Sequence, residues 1–140
     1  MYPTLENNDR LILWILNYQP QLFDIVVVEL PNGEHYIKRI MGLPGHNIEY
    51  YQQQMYIDGN PVAEPFISYS NFTMDFTLKE ICDINEFLDC EIIPEGYFLI
   101  LGDNRNNSAD SRHMGLVSEE QILGRATWRY WPIPSFGRIE

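Results

Sequence analysis

Basic residues are scarce in this sequence: nine Lys and Arg stand against twenty Asp and Glu, a net charge of −11. A field of that sign repels nucleic acid and anionic membrane surfaces, so nucleic-acid binding is disfavoured. Long hydrophobic runs are missing as well. The longest, Leu11–Leu16, has six residues, far short of the ~20 that a membrane-spanning helix needs. No charged start, apolar stretch and small-residue cleavage site opens the chain, so no signal peptide is expected. Cysteine is limited to Cys82 and Cys90, and the three histidines, His35, His46 and His113, are scattered. Without a Cys or His cluster at ligand spacing, a metal centre is not expected. A disulfide closing the short Cys82–Cys90 loop would contribute roughly 2–3 kcal/mol. The spacing leaves disulfide and free thiols equally open.

What is present suffices for a core. The chain has 140 residues, 45% of them hydrophobic and 14% aromatic, which suits one folded domain with at most a small elaboration. Turn marks recur at short intervals, at Pro31-Asn-Gly33, Leu43-Pro-Gly45, Asp58-Gly59, Pro94-Glu-Gly96 and Gly102-Asp-Asn104. Between them lie runs rich in β-branched and aromatic residues: Arg10 to Ile15, Asp24 to Leu30, His35 to Met41, Asn47 to Tyr51, Met55 to Ile57, Tyr97 to Leu101 and Arg125 to Trp131. Such spacing predicts a mostly β, antiparallel sheet or barrel-like fold. Phe72, Met74, Phe76 and Leu78 alternate with polar residues, a period of two that predicts a further strand. Met55 to Val62, with Asp-Gly at its centre, predicts a hairpin. Ser118-Glu-Glu-Gln121 has the form of a capping box opening one helical turn. Cys82 to Glu91 could be a loop or a helical turn.

Two features bear on chemistry. Residues 102–112 hold two Asp, two Arg, two Ser and three Asn directly behind the Tyr97 strand. A tight turn needs few of these, and the surplus points to a loop braced by its own hydrogen bonds and an ion pair. Lys38 lies within a strand between Ile37 and Ile40. If it shares a face with Tyr36 and Ile40, burial would lower its pKa and fit it to act as a general base. Each feature taken alone has an ordinary explanation, a solvated loop and a lysine with its head in water.

Taken in order, Met1-x-Pro-Thr-Leu5, Asp24-Ile-Val-Val-Val28, Tyr36-Ile-Lys-Arg39 with Gly42-x-Pro-Gly45, and Gly102-Asp-Asn-Arg105 through Ser108-x-Asp-Ser-Arg112 with Gly115 and Val117 resemble the sequence boxes of type I signal peptidases. Those are membrane-anchored serine endopeptidases that remove signal peptides from exported proteins. The closing Trp131-Pro132 and the modest length resemble the shorter Gram-positive members. The resemblance implies an antiparallel β catalytic core from residues 1–45 and 96–140, an inserted variable β region from residues 46–95, and no cofactor. It also implies a Ser-Lys dyad rather than a Ser-His-Asp triad. Lys38 matches the general base, and Ser108 the residue whose hydroxyl orients it. Asp110 and Arg112 match an ion pair bracing the loop, while Arg39, Asp103 and Asn104 match structural positions near the site. Met1, Leu5, Val27, Tyr36 and Ile37 fall where the family lines its substrate cleft. That cleft takes small residues, typically Ala, one and three positions before the cut. The implied partners are signal peptides and, through an upstream helix, the outer face of the bacterial cytoplasmic membrane.

One departure matters. The family nucleophile is the serine just before the Met-x-Pro-Thr-Leu box, and this sequence begins at that Met, so the chain by itself is expected to be inactive. A non-catalytic relative that grips extended peptides is the other expectation. His46, where many members have Asp, lies outside the dyad. Self-cleaving repressors share a Ser-Lys arrangement but would need a DNA-binding segment that this acidic chain lacks. A triad of His113, Asp110 and Ser111 would crowd three residues onto one short loop without an oxyanion-hole motif.

Overall fold

Turn residues cut the chain into short runs, and nearly every run becomes a strand in the computed structural model, which describes residues Met1–Glu140. One sheet has seven strands: β1 (Arg10–Trp14), β2 (Ile25–Glu29), β3 (His35–Gly42), β8 (Tyr97–Leu101), β9 (Val117–Ser118), β10 (Ile122–Trp131) and β11 (Gly137–Arg138). Its order is β1-β10-β2-β3-β8-β9, with β11 pairing β10. The second sheet has four strands, β4 (Ile48–Tyr51), β5 (Gln54–Ile57), β6 (Asn60–Val62) and β7 (Phe76–Thr77), in the order β6-β5-β4-β7. All pairings are antiparallel. Two short helices, α1 (Leu78–Ile84) and α2 (Ser111–Met114), complete the fold. The mostly β, antiparallel expectation holds.

Local chemistry explains the turns. Asp58 and Gly59 sit at φ 51° and 81°, the backbone twist that closes a two-residue hairpin between β5 and β6. At Ser118 the capping box forms, and Gln121 Oε1 accepts from the Ser118 N–H at 2.9 Å over a single 3-10 turn, Glu119–Gln121.

The strand expected from Phe72 to Leu78 is a correction. Only Phe76 and Thr77 pair, with Tyr50 and Glu49. Phe72 and Met74 are 60% and 74% exposed, so their alternation marks no buried face. The chain turns into α1 instead because Thr77 caps it: Thr77 Oγ1 accepts from the Glu80 N–H, and Glu80 Oε2 accepts from the Thr77 N–H at 2.7 Å. Cys82 therefore lies in a helix, and a disulfide joins it to Cys90.

Three apolar clusters hold the sheets. The largest joins Met41, Leu99, Leu101 and Leu116 to Ile48, Tyr50, Met55, Ile57, Phe76 and Ile81, so the two sheets share one interior. A second gathers Val26, Val28, Ile40, Phe98, Ile100 and Val117. The third packs Leu5, Ile25, Ala126 and Ile139, with Met1, Leu11, Leu13 and Ile37 against it. Between β2 and β3, Val26 faces Lys38 and Val28 faces Tyr36, whereas Val27 faces Ile37 and Ile25 faces Arg39. Opposed residues share a sheet face. Tyr36 and Lys38 therefore lie on the side of the second cluster, and Ile37 and Arg39 on the side of the third.

Candidate active site

Lys38 points along a face whose neighbours, Val26 and Ile40, are fully buried. At the end of β8 the sheet presents Gly102. A Cβ on Gly102 would collide with Ser108 Oγ and Cβ and would stand 3.6 Å from Lys38 Nζ. The two polar side chains therefore converge over a residue whose bare Cα leaves room for both. Ser108 Oγ is buried and makes no hydrogen bond of good geometry, although its hydroxyl is near enough to Asp110 to help hold that carboxyl's pKa down. A hydroxyl held so loosely is free to turn toward the Lys38 amine. Burial holds the Lys38 pKa below its ordinary value; Asp110 and Asp103 pull it up and Arg112 pushes it down. The Tyr36 ring centroid lies 5.3 Å from Lys38 Nζ. The Met1 amino group belongs to the same environment: burial and the Lys38 charge lower its pKa, and Asp103 opposes them.

The loop beyond Gly102 is held from several directions. Asp110 caps α2 and accepts from the Gly102 N–H at 3.0 Å and from the Arg112 N–H. Arg112 grips the same carboxylate with Nε and Nη2 at 2.9 and 2.8 Å. Burial would raise the Asp110 pKa, but the Arg112 hydrogen bonds and charge, with the Gly102 N–H and the Ser108 hydroxyl, hold it below the usual carboxylate range. Ser111 Oγ accepts from the Ile100 N–H at 2.9 Å, tying α2 to β8. On the other sheet face Arg39 donates to both oxygens of Asp103, at 2.9 and 2.8 Å, and to the Phe23 carbonyl. Thr4 Oγ1 donates to the same carboxylate at 2.5 Å. The N-terminal segment, β3 and the polar loop are thereby locked together at a bidentate pair.

The family model described as "Signal peptidase, peptidase S26" matches residues 1–131. The chain belongs to the signal peptidase family. It is 34% identical over 146 aligned residues to signal peptidase IB of Staphylococcus aureus, covering 97% of this chain and 75% of that protein. To signal peptidase I of Bacillus caldolyticus it is 38% identical, with 97% and 77% covered. A crystal structure of a signal peptidase I from Enterococcus faecalis V583 superposes with a TM-score of 0.63 at 35% identity, over 79% of this chain and 98% of that one. Such peptidases are serine endopeptidases that remove signal peptides.

In this signal peptidase domain, the residues expected to line the cleft are divided between two faces. Met1, Leu5 and Ile37 meet in the third cluster, and Val27 lies opposite Ile37. Tyr36 lies on the Lys38 side. Asn104 contributes its carbonyl to a turn with the Asn107 N–H. His113 takes no part in a triad, since Asp110 is spent on Arg112 and Ser111 on Ile100. No three His, Cys, Asp or Glu side chains converge to hold a metal, and no helix is long and apolar enough to cross a membrane.

Sequence reasoning missed Arg105 and Glu64. Arg105, only 3% exposed, donates from Nε to the Gly102 carbonyl at 2.9 Å and from Nη2 to Glu64 Oε1 at 2.5 Å. Glu64 Oε2 also accepts from the Tyr50 hydroxyl at 2.7 Å. Arg105 stood in the polar loop as a visible cation, but its partner is 41 positions away, and no local pattern joins them.

Proposed function

We propose that this peptidase cuts by a Ser-Lys dyad, with Lys38 as the general base. The support is the convergence of Lys38 Nζ and the buried Ser108 hydroxyl over Gly102. The nucleophile in this reading is the hydroxyl of a serine placed directly ahead of Met1, whose amino group already lies within the influence of Lys38. The neutral Lys38 amine takes the hydroxyl proton as the oxygen bonds to the scissile carbonyl carbon. It then gives that proton to the departing amine as the C–N bond breaks, and a water later releases the acyl group. Ser108 orients the amine, and the Asp110–Arg112 pair holds the loop that carries Ser108.

An extended signal peptide lies as an added strand beside the cleft, with Met1, Leu5, Val27, Tyr36 and Ile37 shaping pockets for small residues, so that cleavage follows Ala-x-Ala. Residues 1–45 and 96–140 form the catalytic core and residues 46–95 the inserted region. A helix upstream of the serine anchors the domain to the outer face of the bacterial membrane. The test is to place serine ahead of Met1 and supply an Ala-x-Ala peptide. Turnover is expected, and Lys38→Ala should abolish it while the circular dichroism spectrum stays unchanged. Turnover retained by Lys38→Ala would remove the dyad. A serine-bearing chain that binds the peptide but never cuts it would favour a non-catalytic binder.

A further inference from the structure

The inserted region reaches the dyad through one short segment. Following β6, Glu64-Pro65-Phe66 touches both arginines that hold the start of the polar loop. Glu64 is the counter-charge of Arg105, at a side-chain exposure of 8% against 0%. The Phe66 ring lies 3.9 Å beneath the Arg39 guanidinium and packs on Phe23 at a centroid distance of 5.7 Å. Arg105 holds the Gly102 carbonyl, and Arg39 holds the Asp103 carboxylate. Both peptide groups of Gly102 are thus fixed, its N–H by Asp110 and its carbonyl by Arg105. Gly102 is also the residue over which Lys38 and Ser108 meet.

We infer that Glu64 is a positioning residue for the dyad, acting through Arg105 to fix Gly102 and so the spacing of Lys38 from Ser108, with Phe66 seating Arg39 alongside. The inference rests on the Ser-Lys reading. A guanidinium buried without its carboxylate draws in water or swings toward it. The Gly102 carbonyl is then released and the loop carrying Ser108 loosens. Misplacing a reacting group by about 1 Å costs on the order of a hundredfold in rate. Water entering beside Lys38 relieves the burial that lowers its pKa, and Arg105 is not among the charges that act on that amine. The Lys38 titration therefore moves upward.

The experiment uses the serine-bearing chain, with kcat and KM for an Ala-x-Ala peptide measured across pH. Glu64→Gln should lower kcat about 10- to 100-fold, leave KM within about twofold, and move the acid limb of the kcat/KM profile to higher pH. Ile57→Val, a core truncation in the same sheet, should lower Tm without moving kcat or that limb. A Glu64→Gln protein that melts earlier but keeps both kcat and its acid limb would reduce Glu64 to a structural role and overturn the inference. Should Glu64→Gln fail to fold, Tyr50→Phe decides, since it removes one hydrogen bond to the same carboxylate. A fall in kcat of about threefold, with the limb moving the same way, supports the inference, and unchanged values overturn it. A serine-bearing parent that does not cut, or a Lys38→Ala variant that does, would instead sink the dyad reading, and this inference with it.

Discussion

Breaking the Arg39–Asp103 pair should be among the costliest single changes in the chain. Asp103 is wholly buried and Arg39 is 2% exposed. Three donor bonds reach the carboxylate, two from Arg39 and one from Thr4. Removing either partner strands a charge in the interior, which costs about 3–5 kcal/mol. For a chain of this length that is a Tm loss of about 10–15 °C. Replacing both with apolar residues removes the stranded charge as well as the attraction, so most of the loss should return. Urea melts of Asp103→Leu, Arg39→Met and the double variant give the cycle, and the expected coupling is at least about 2 kcal/mol. Singles costing under about 1 kcal/mol, or a double variant that costs their sum, would refute the reasoning.

Gly102→Ala forces a methyl against Ser108. It should cost about 1–3 kcal/mol in a urea melt, and about a hundredfold in turnover of the serine-bearing chain; full activity would contradict the convergence. The lowered Lys38 pKa makes the folded state bind fewer protons than the unfolded one between the two pKa values. Stability from this group therefore rises with pH up to about 10.4 and is lost as pH falls. Lys38→Met should accordingly be more stable than the parent near pH 7, with the gain shrinking toward pH 10.5 in paired denaturant melts; a constant difference would contradict this. Changing Cys82 and Cys90 together to serine should remove roughly 2–3 kcal/mol, read as a fall in the urea midpoint.

Much of this architecture could be read from residue order because its signals are local. Asp58-Gly59 makes its own turn, and the runs at Ile25–Glu29 and Tyr97–Leu101 are apolar enough to be strands in any sheet. The alternation from Phe72 to Leu78 misled because period two marks a strand only when one face is covered, and nothing covers Phe72 or Met74. Thr77-Leu-Lys-Glu80 already carried the competing capping signal. The resemblance singled out Lys38, Ser108 and the Asp110–Arg112 pair as candidates. Gly102 acquired its meaning only in space, since the need for a bare Cα depends on Lys38 arriving from β3 and Ser108 from the loop behind β8. Glu64 was illegible for the same reason, as an acid beside a proline becomes a counter-charge only where the fold seats Arg105 on it.

The most direct measurement is the titration of the Lys38 side-chain amine by nitrogen-detected NMR, assigned by its loss in Lys38→Ala. A partly buried amine beside the Ser108 hydroxyl should lose its proton below the ~10.4 of an exposed lysine. A midpoint at or above that value would mean that water or the Asp110 and Asp103 charges outweigh burial, and would contradict a lysine tuned to act as the base.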